Sequence, residues 1–267
     1  SMDGCLDFLA ALPSIFCYYG AMNGQSASRR TLKGNLMTGN LSHLLIAMLV
    51  FIGGHFVMSS LPVRTPVIQI IGEQKFKGVY ALISLGAMVW VVTAYMAAPV
   101  VEYWQPHTAF KHFSLSFMII ALISIIAALT PIKSADGADT DGPRGIFRIT
   151  RHPMMWGIAL WSFLHVLAND DLAALIFFGG FTILALAGTA HGDRRKALTE
   201  GENWQILAAQ SSHIPFAAIL TKRTQFSAKE IGWLPVILGF GLYLVLLILH
   251  ETMFGSAPIS WVAGLFD

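Results

Sequence analysis

The chain has 267 residues, room for one ordinary domain or two small ones. Hydrophobic residues make up 55% and charged residues only 12%, against about 25% charged in a soluble domain, so a soluble fold could not cover its surface. The net charge of +2 gives no argument for a nucleic-acid partner, and two cysteines, Cys5 and Cys17, are too few for a disulfide framework.

Ser1 ahead of Met2 reads as a cloning scar. Residues 1–40 form an N-terminal tail. Its apolar run "LDFLAALPSIFCYYGAM" lacks the basic start of a secretory signal and is read as an interfacial helix, a partial span or a loosely ordered tail. "GQSASRRTLKGNLMTGN", residues 24–40, reads as a linker.

About 20 mostly apolar residues cross a bilayer as a helix. Six stretches qualify, near 43–61, 78–98, 112–130, 153–169, 171–190 and 233–254. The expected fold is all-α, a polytopic transmembrane helical bundle of about six spans. Only Asn169, Asp170 and Asp171 separate the fourth and fifth stretches, which predicts a tight helical hairpin. Pro131, Pro153 and Pro235 stand at helix ends, where a missing N–H costs least. Gly53-Gly54 and Gly179-Gly180 are expected to let helix backbones approach closely. Residues 191–220 are amphipathic and mixed in charge, and read as a return along the membrane surface with Trp204 at the interface.

Lysines and arginines divide thirteen to four between the two sides of this arrangement. The positive-inside rule then puts both termini outside the cytoplasm and "RHP", residues 151–153, on the cytoplasmic side. A multi-pass protein of the bacterial inner membrane is expected.

Nine histidines occur, several at membrane depth. Any one of them is explained by a neutral imidazole hydrogen-bonded to a neighbouring helix. As a group they also suit haem, whose common axial ligand is histidine. At about 1.5 Å per residue, His165 lies about 18 Å, His250 about 25 Å and His55 about 9 Å from the cytoplasmic face. Two cross-helix pairs follow, His55 with His165 and His165 with His250. Depth alone does not choose between them. At the mouth, Arg148, Arg151 and His152 form a cationic rim suited to haem propionates, a nucleotide-like cofactor or lipid headgroups. Ordinary topology charge explains the same residues. No Gly-rich phosphate loop is present, and Ser-His-Asp chemistry has no support from spacing.

In order along the chain, "FIGGHF", "KGVYALISL", "ITRHPMMWGIALWSFLHVLAND", "HIPFAAI" and "IGWLPVILGFGLYLVLLILHETMFGSAPI" resemble the NnrU family. These are bacterial membrane proteins linked to nitrite and nitric oxide reduction. The resemblance covers about residues 43–262 and makes 41–267 an NnrU-like membrane domain. Family members generally begin near the first span, so residues 2–40 lie outside the usual pattern. The family is similar to the 15-cis-zeta-carotene isomerases, membrane haem b proteins. By that similarity His55 and His165 match the haem ligands. Ser162 stands where the isomerases carry a cysteine implicated in ligand switching, and offers no thiolate. The resemblance thus implies haem b and either a redox-gated isomerase of a polyene-type, lipid-soluble substrate or a part in nitric oxide metabolism. Membrane lipid is the surrounding partner, and no nucleic acid is expected.

A second resemblance, through "RHP", "GENW" and "IPF", is to S-adenosylmethionine-dependent membrane methyltransferases of the isoprenylcysteine and phospholipid type. Those commonly carry paired glutamates before the "GENW"-like segment, where this chain has Gly192-Asp193.

Overall fold

A computed structural model describes residues 40–130 and 142–258. The N-terminal tail with Cys5, Cys17 and its basic residues lies outside the described residues, as do Pro131 and Lys133. Among the described residues there are ten α-helices and no strand. In chain order they are α1 (Leu41–Ser59), α2 (Leu61–Ile71), α3 (Glu73–Ala97), α4 (Thr108–Leu129), α5 (Pro153–Ala168), α6 (Leu172–Thr199), α7 (Gly201–Gln210), α8 (Ala217–Leu220), α9 (Ala228–Ile231) and α10 (Leu234–Phe254). A 3-10 turn, Gly145–Arg148, precedes α5.

Five of them, α1, α3, α4, α6 and α10, are long and apolar enough to cross a membrane. Large apolar side chains on their outer faces are exposed, among them Leu49, Leu82, Ile120 and Ile237. Lipid tails are the medium that makes such exposure favourable, and the chain is a multi-pass membrane protein. The sixth expected span, α5, has only 16 residues. At about 1.5 Å per residue it reaches about 24 Å, short of the about 30 Å hydrocarbon core.

Neighbours run in the order α3, α1, α6, α5, α4, α10. The main core lies where α1, α3 and α6 meet and is built on Leu44, Met48, Phe51, Val91, Phe177, Phe178 and Phe181. The expected hairpin forms: Asp171 caps α6 by accepting from the Ala174 N–H at 2.8 Å, a bond typically worth ~1 kcal/mol. The segment after α3 straps this turn, with Tyr103 N–H on Asp170 O at 3.0 Å and Leu172 N–H on Val101 O at 2.9 Å.

Three features differ from the sequence expectation. The stretch after the first span, LPVRTPVIQII, folds as a separate helix α2, with proline in its first turn and Gly72 at φ 82° between it and α3. Next, α6 does not stop near residue 190; its 28 residues make it about 42 Å long, so its charged last turns can extend past the hydrocarbon core. Finally, the close approaches occur at other glycines. A side chain on Gly157 would meet Ala121 O at 2.9 Å, and one on Gly239 would meet Ile123 Cα at 2.8 Å, so α5 and α10 both press on α4 through glycine. Gly180 seats the Met48 side chain, whereas Gly53 and Gly54 face open space.

Candidate functional site

Two groups of histidines stand out, one at membrane depth and one at the Arg-His-Pro end of the bundle. The deep group joins α5, α6 and α10. The His165 ring packs on Phe178 of α6, centroids 4.5 Å apart, and faces His250 of α10 with centroids 6.5 Å apart and planes 20° from parallel. His165 Nδ1 lies 2.8 Å from Trp161 O, and His250 Nδ1 lies 2.6 Å from Ser256 O. A carbonyl only accepts, so each Nδ1 carries a proton. The neutral ring then has its lone pair on Nε2, the arrangement usual for a metal-bound histidine.

His55 has the same tautomer, its Nδ1 donating to Phe51 O at 2.8 Å, but it faces elsewhere. Its ring contacts Phe51 and Tyr80 of α3. Phe51 meets Phe181 and Phe56 meets His191, so His55 lies beside the 181–191 stretch of α6, while His165 lies beside Phe178. From Phe178 to the middle of that stretch is about 12 Å of helix rise. Phe51, Phe181 and Trp161 form the ring-to-ring path from His55 to His165. The structure therefore brings His165 together with His250 and sets His55 against α3. Ser162, one turn before His165, is fully buried and shares a 2.8 Å hydrogen bond with Thr182 of α6.

The second group lies where α5 begins. Pro153 starts α5, leaving Arg151 and His152 just ahead of its first turn. Both reach Asp193, which the overshoot of α6 carries to this level. Arg151 donates to Asp193 Oδ2 through Nε at 2.9 Å and Nη2 at 2.6 Å. His152 Nε2 lies 2.5 Å from Oδ1. Burial holds His152 below the ordinary imidazole range, and Asp193 partly opposes that shift. His213, from the loop after α7, approaches Oδ2 with Nδ1 at 3.3 Å, and its carbonyl accepts from Trp156 Nε1 at 2.8 Å. Arg151 N–H ties the same loop by donating to Ser212 O at 3.0 Å. The Arg151 guanidinium also lies over the Trp204 ring, 5.3 Å from its centroid. Two cavities flank Arg151, one of about 220 Å³ beside His152 and Phe147, the other of about 270 Å³ beside His213 and Arg223.

Arg148 does not join this group. It ends the 3-10 turn and pairs with Glu230 through Nε at 2.7 Å and Nη2 at 2.9 Å, and with Thr224 through Nη1 at 3.0 Å. That guanidinium, helped by the Gly145 N–H, holds Glu230 below the usual carboxylate range. The rim of Arg148, Arg151 and His152 is thus split between two acids. Asp193 is the acid of the Gly192-Asp193 pair and His213 opens the "HIPFAAI" segment, but sequence reading gave neither a role. Glu230 lies 82 positions from Arg148, and no local pattern announces it.

Over residues 43–258 the sequence matches the family described as NnrU protein. The chain belongs to the NnrU family. It is similar to the chloroplastic 15-cis-zeta-carotene isomerase of Zea mays, 27% identical over 205 residues, 73% of this chain and 56% of that protein. A shorter likeness, 40% identical over 79 residues, links it to the isomerase of the same name from Arabidopsis thaliana, covering 30% of this chain and 22% of that protein. This NnrU-family chain thus spans about half the length of the maize relative and less of the other. No solved structure matches it.

Proposed function

We propose that this NnrU-family membrane protein binds one haem b at membrane depth, with His165 as an axial ligand, and uses it on a lipid-soluble substrate. The observation that carries this reading is the near-parallel pair of His165 and His250. Two imidazoles on one metal, with metal–nitrogen bonds of about 2 Å, place their ring centroids about 6 Å apart. The spacing here is 6.5 Å. Both rings anchor Nδ1 on a backbone carbonyl, and their surroundings are aromatic and apolar. Two imidazoles with Nδ1 on backbone carbonyls are the kind of donor set that holds haem iron. His250 is the partner that geometry favours. His55, the partner implied by the resemblance, is the alternative.

Bound haem would supply a redox-active centre shielded from water. This chain's own contribution is to fix two imidazoles on carbonyls and to surround them with Trp161, Phe178 and Phe254. His152 stands thirteen positions from His165, about 20 Å along α5. In this reading Arg151 and His152 shape the entrance instead of touching the ring, and Arg148 secures the α9 segment through Glu230.

The likeness to 15-cis-zeta-carotene isomerases supports a redox-gated cis–trans isomerisation of a polyene-type substrate. Membership of the NnrU family leaves a part in nitrite and nitric oxide metabolism as the alternative use of the same haem. A methyltransferase reading is weaker. Asp193, at the place of the paired glutamates, is occupied by Arg151 and His152, and each flanking cavity is smaller than the about 300–1,000 Å³ of ordinary ligand pockets.

Single variants His250→Ala and His55→Ala identify the second ligand. A shift in the haem spectrum of His250→Ala with none in His55→Ala supports the geometric pair, and the reverse supports the resemblance. Product analysis with candidate cis-polyenes under reducing conditions tests isomerisation. Unchanged substrate, with tight nitric oxide binding by the reduced protein, would turn the reading to nitric oxide metabolism.

A further inference from the structure

The group at the Arg-His-Pro end contains a hydrogen-bonding mismatch. Thr189 Oγ1 donates its only proton to Leu186 O at 2.6 Å. With that proton on the shorter contact, Oγ1 accepts from His213 Nε2 at 3.1 Å, an assignment that puts the ring proton on Nε2. In the neutral ring Nδ1 then presents a lone pair, and it faces Asp193 Oδ2 at 3.3 Å. An acceptor aimed at a carboxylate is unfavourable unless a positive centre lies between them.

We propose that His152, Asp193 and His213 bind a divalent transition-metal ion of the zinc class. The ligand atoms would be His152 Nε2, a carboxylate oxygen of Asp193 and His213 Nδ1. One ligand atom from each of the three residues already lies within 4.8 Å of the other two. A tetrahedral ion with arms of about 2.0–2.1 Å spaces its ligands about 3.3–3.4 Å apart, so closure by about 1.5 Å at most completes the site. The ligands come from three separate places: the entry to α5, the end of α6 and the loop after α7. All three are half-buried and lie outside the haem group.

The surroundings suit a metal-bound histidine. Thr189 holds the far nitrogen of His213, the outer hydrogen bond that fixes tautomer and ring direction. Trp156 holds the backbone of His213. Arg151 binds Oδ2 from one side, and the side of Oδ2 that faces His213 Nδ1 is where the ion would enter. The Arg151 charge costs affinity but orients the carboxylate. Ion binding at His152 Nε2 moves the proton now shared with Asp193 to Nδ1, so the ring stays a neutral ligand. The two cavities beside His152 and His213 leave room for a fourth ligand, water or a small anion.

The test is equilibrium dialysis of the full, haem-replete chain in detergent, tag removed, against micromolar zinc. Zinc per chain and haem absorbance are read on the same sample. The expected result is one zinc per chain more in the unaltered protein than in His213→Ala, with identical haem absorbance. Thr189→Val, which removes no ligand, should weaken zinc binding about 10–100-fold, and it carries the test should His213→Ala fail to fold. Equal zinc in the unaltered protein and His213→Ala, or equal affinity in Thr189→Val, would overturn the proposal and leave a proton as the positive centre. His165→Ala should lose haem and keep the zinc, so failure of the haem reading and failure of this one are separable.

Discussion

His165 and His213 are both partly buried imidazoles, yet their neighbours differ in kind. Around His165 the contacts are rings and a backbone carbonyl, with no ionised side chain among the described residues in contact. Around His213 they are a carboxylate, a hydroxyl and a second histidine whose own neighbour is an arginine. The first setting keeps a neutral donor in a dry apolar space, suited to a neutral ligand for iron. The second concentrates opposite charges at a wet edge, suited to a cation or to proton exchange. One helix pair, α5 and α6, builds both, because α6 runs on past the level at which α5 begins.

Removing the centre of the polar group should have the largest effect on stability. Asp193→Ala leaves Arg151 without its carboxylate in a site where both side chains are mostly buried, a change that typically costs about 3 kcal/mol. Thermal unfolding in detergent should show a large loss, whereas haem content should fall little. Equal loss of haem would mean that the two groups are one unit.

Gly157→Val probes the seat of α5 on α4, eight positions or about 12 Å of helix before His165. A Cβ there meets Ile125 Cγ1 at 2.7 Å and a backbone carbonyl at 2.9 Å, and overpacking of that kind costs about 1–3 kcal/mol. It should move α5 off α4 and shift the haem spectrum as well as stability. A spectral change at Gly157 with none at Asp193 would sharpen the division between the groups.

Ser162→Ala removes a buried bond between α5 and α6, for an expected loss of about 1 kcal/mol. The Thr182 hydroxyl keeps its bond to Phe178 O, which limits the cost.

The smallest effect belongs to Glu230. Its pKa is lower folded than unfolded, so its pairing with Arg148 stabilises fully above the ordinary glutamate value of about 4.3. That contribution is lost as pH falls through the folded value. Both side chains are about a quarter exposed or more, so Glu230→Gln should cost roughly 0.5–1 kcal/mol at neutral pH. The difference from the unaltered protein should vanish in acid, read by protease cleavage near residue 225.

Much of this division was legible in the chain itself. Apolar runs marked the five long helices and α5, and the three-residue connection marked the hairpin capped by Asp171. The α6 overshoot was hidden, since charged residues continue a helix wherever they reach water. Pairing across helices was hidden as well. Depth left His55 and His250 as equal partners for His165, and only the placement of α10 against α4 brings His250 within ring contact. The acids that neutralise Arg148 and Arg151 come from 82 and 42 positions away, beyond any local pattern.

The central claim is haem at His165, and the most direct measurement is the visible absorption spectrum of the purified chain beside that of His165→Ala. A Soret band that disappears in the variant, with helicity by circular dichroism unchanged, is the predicted result. A colourless unaltered protein after expression with ample haem, or a band of full strength in His165→Ala, would contradict it.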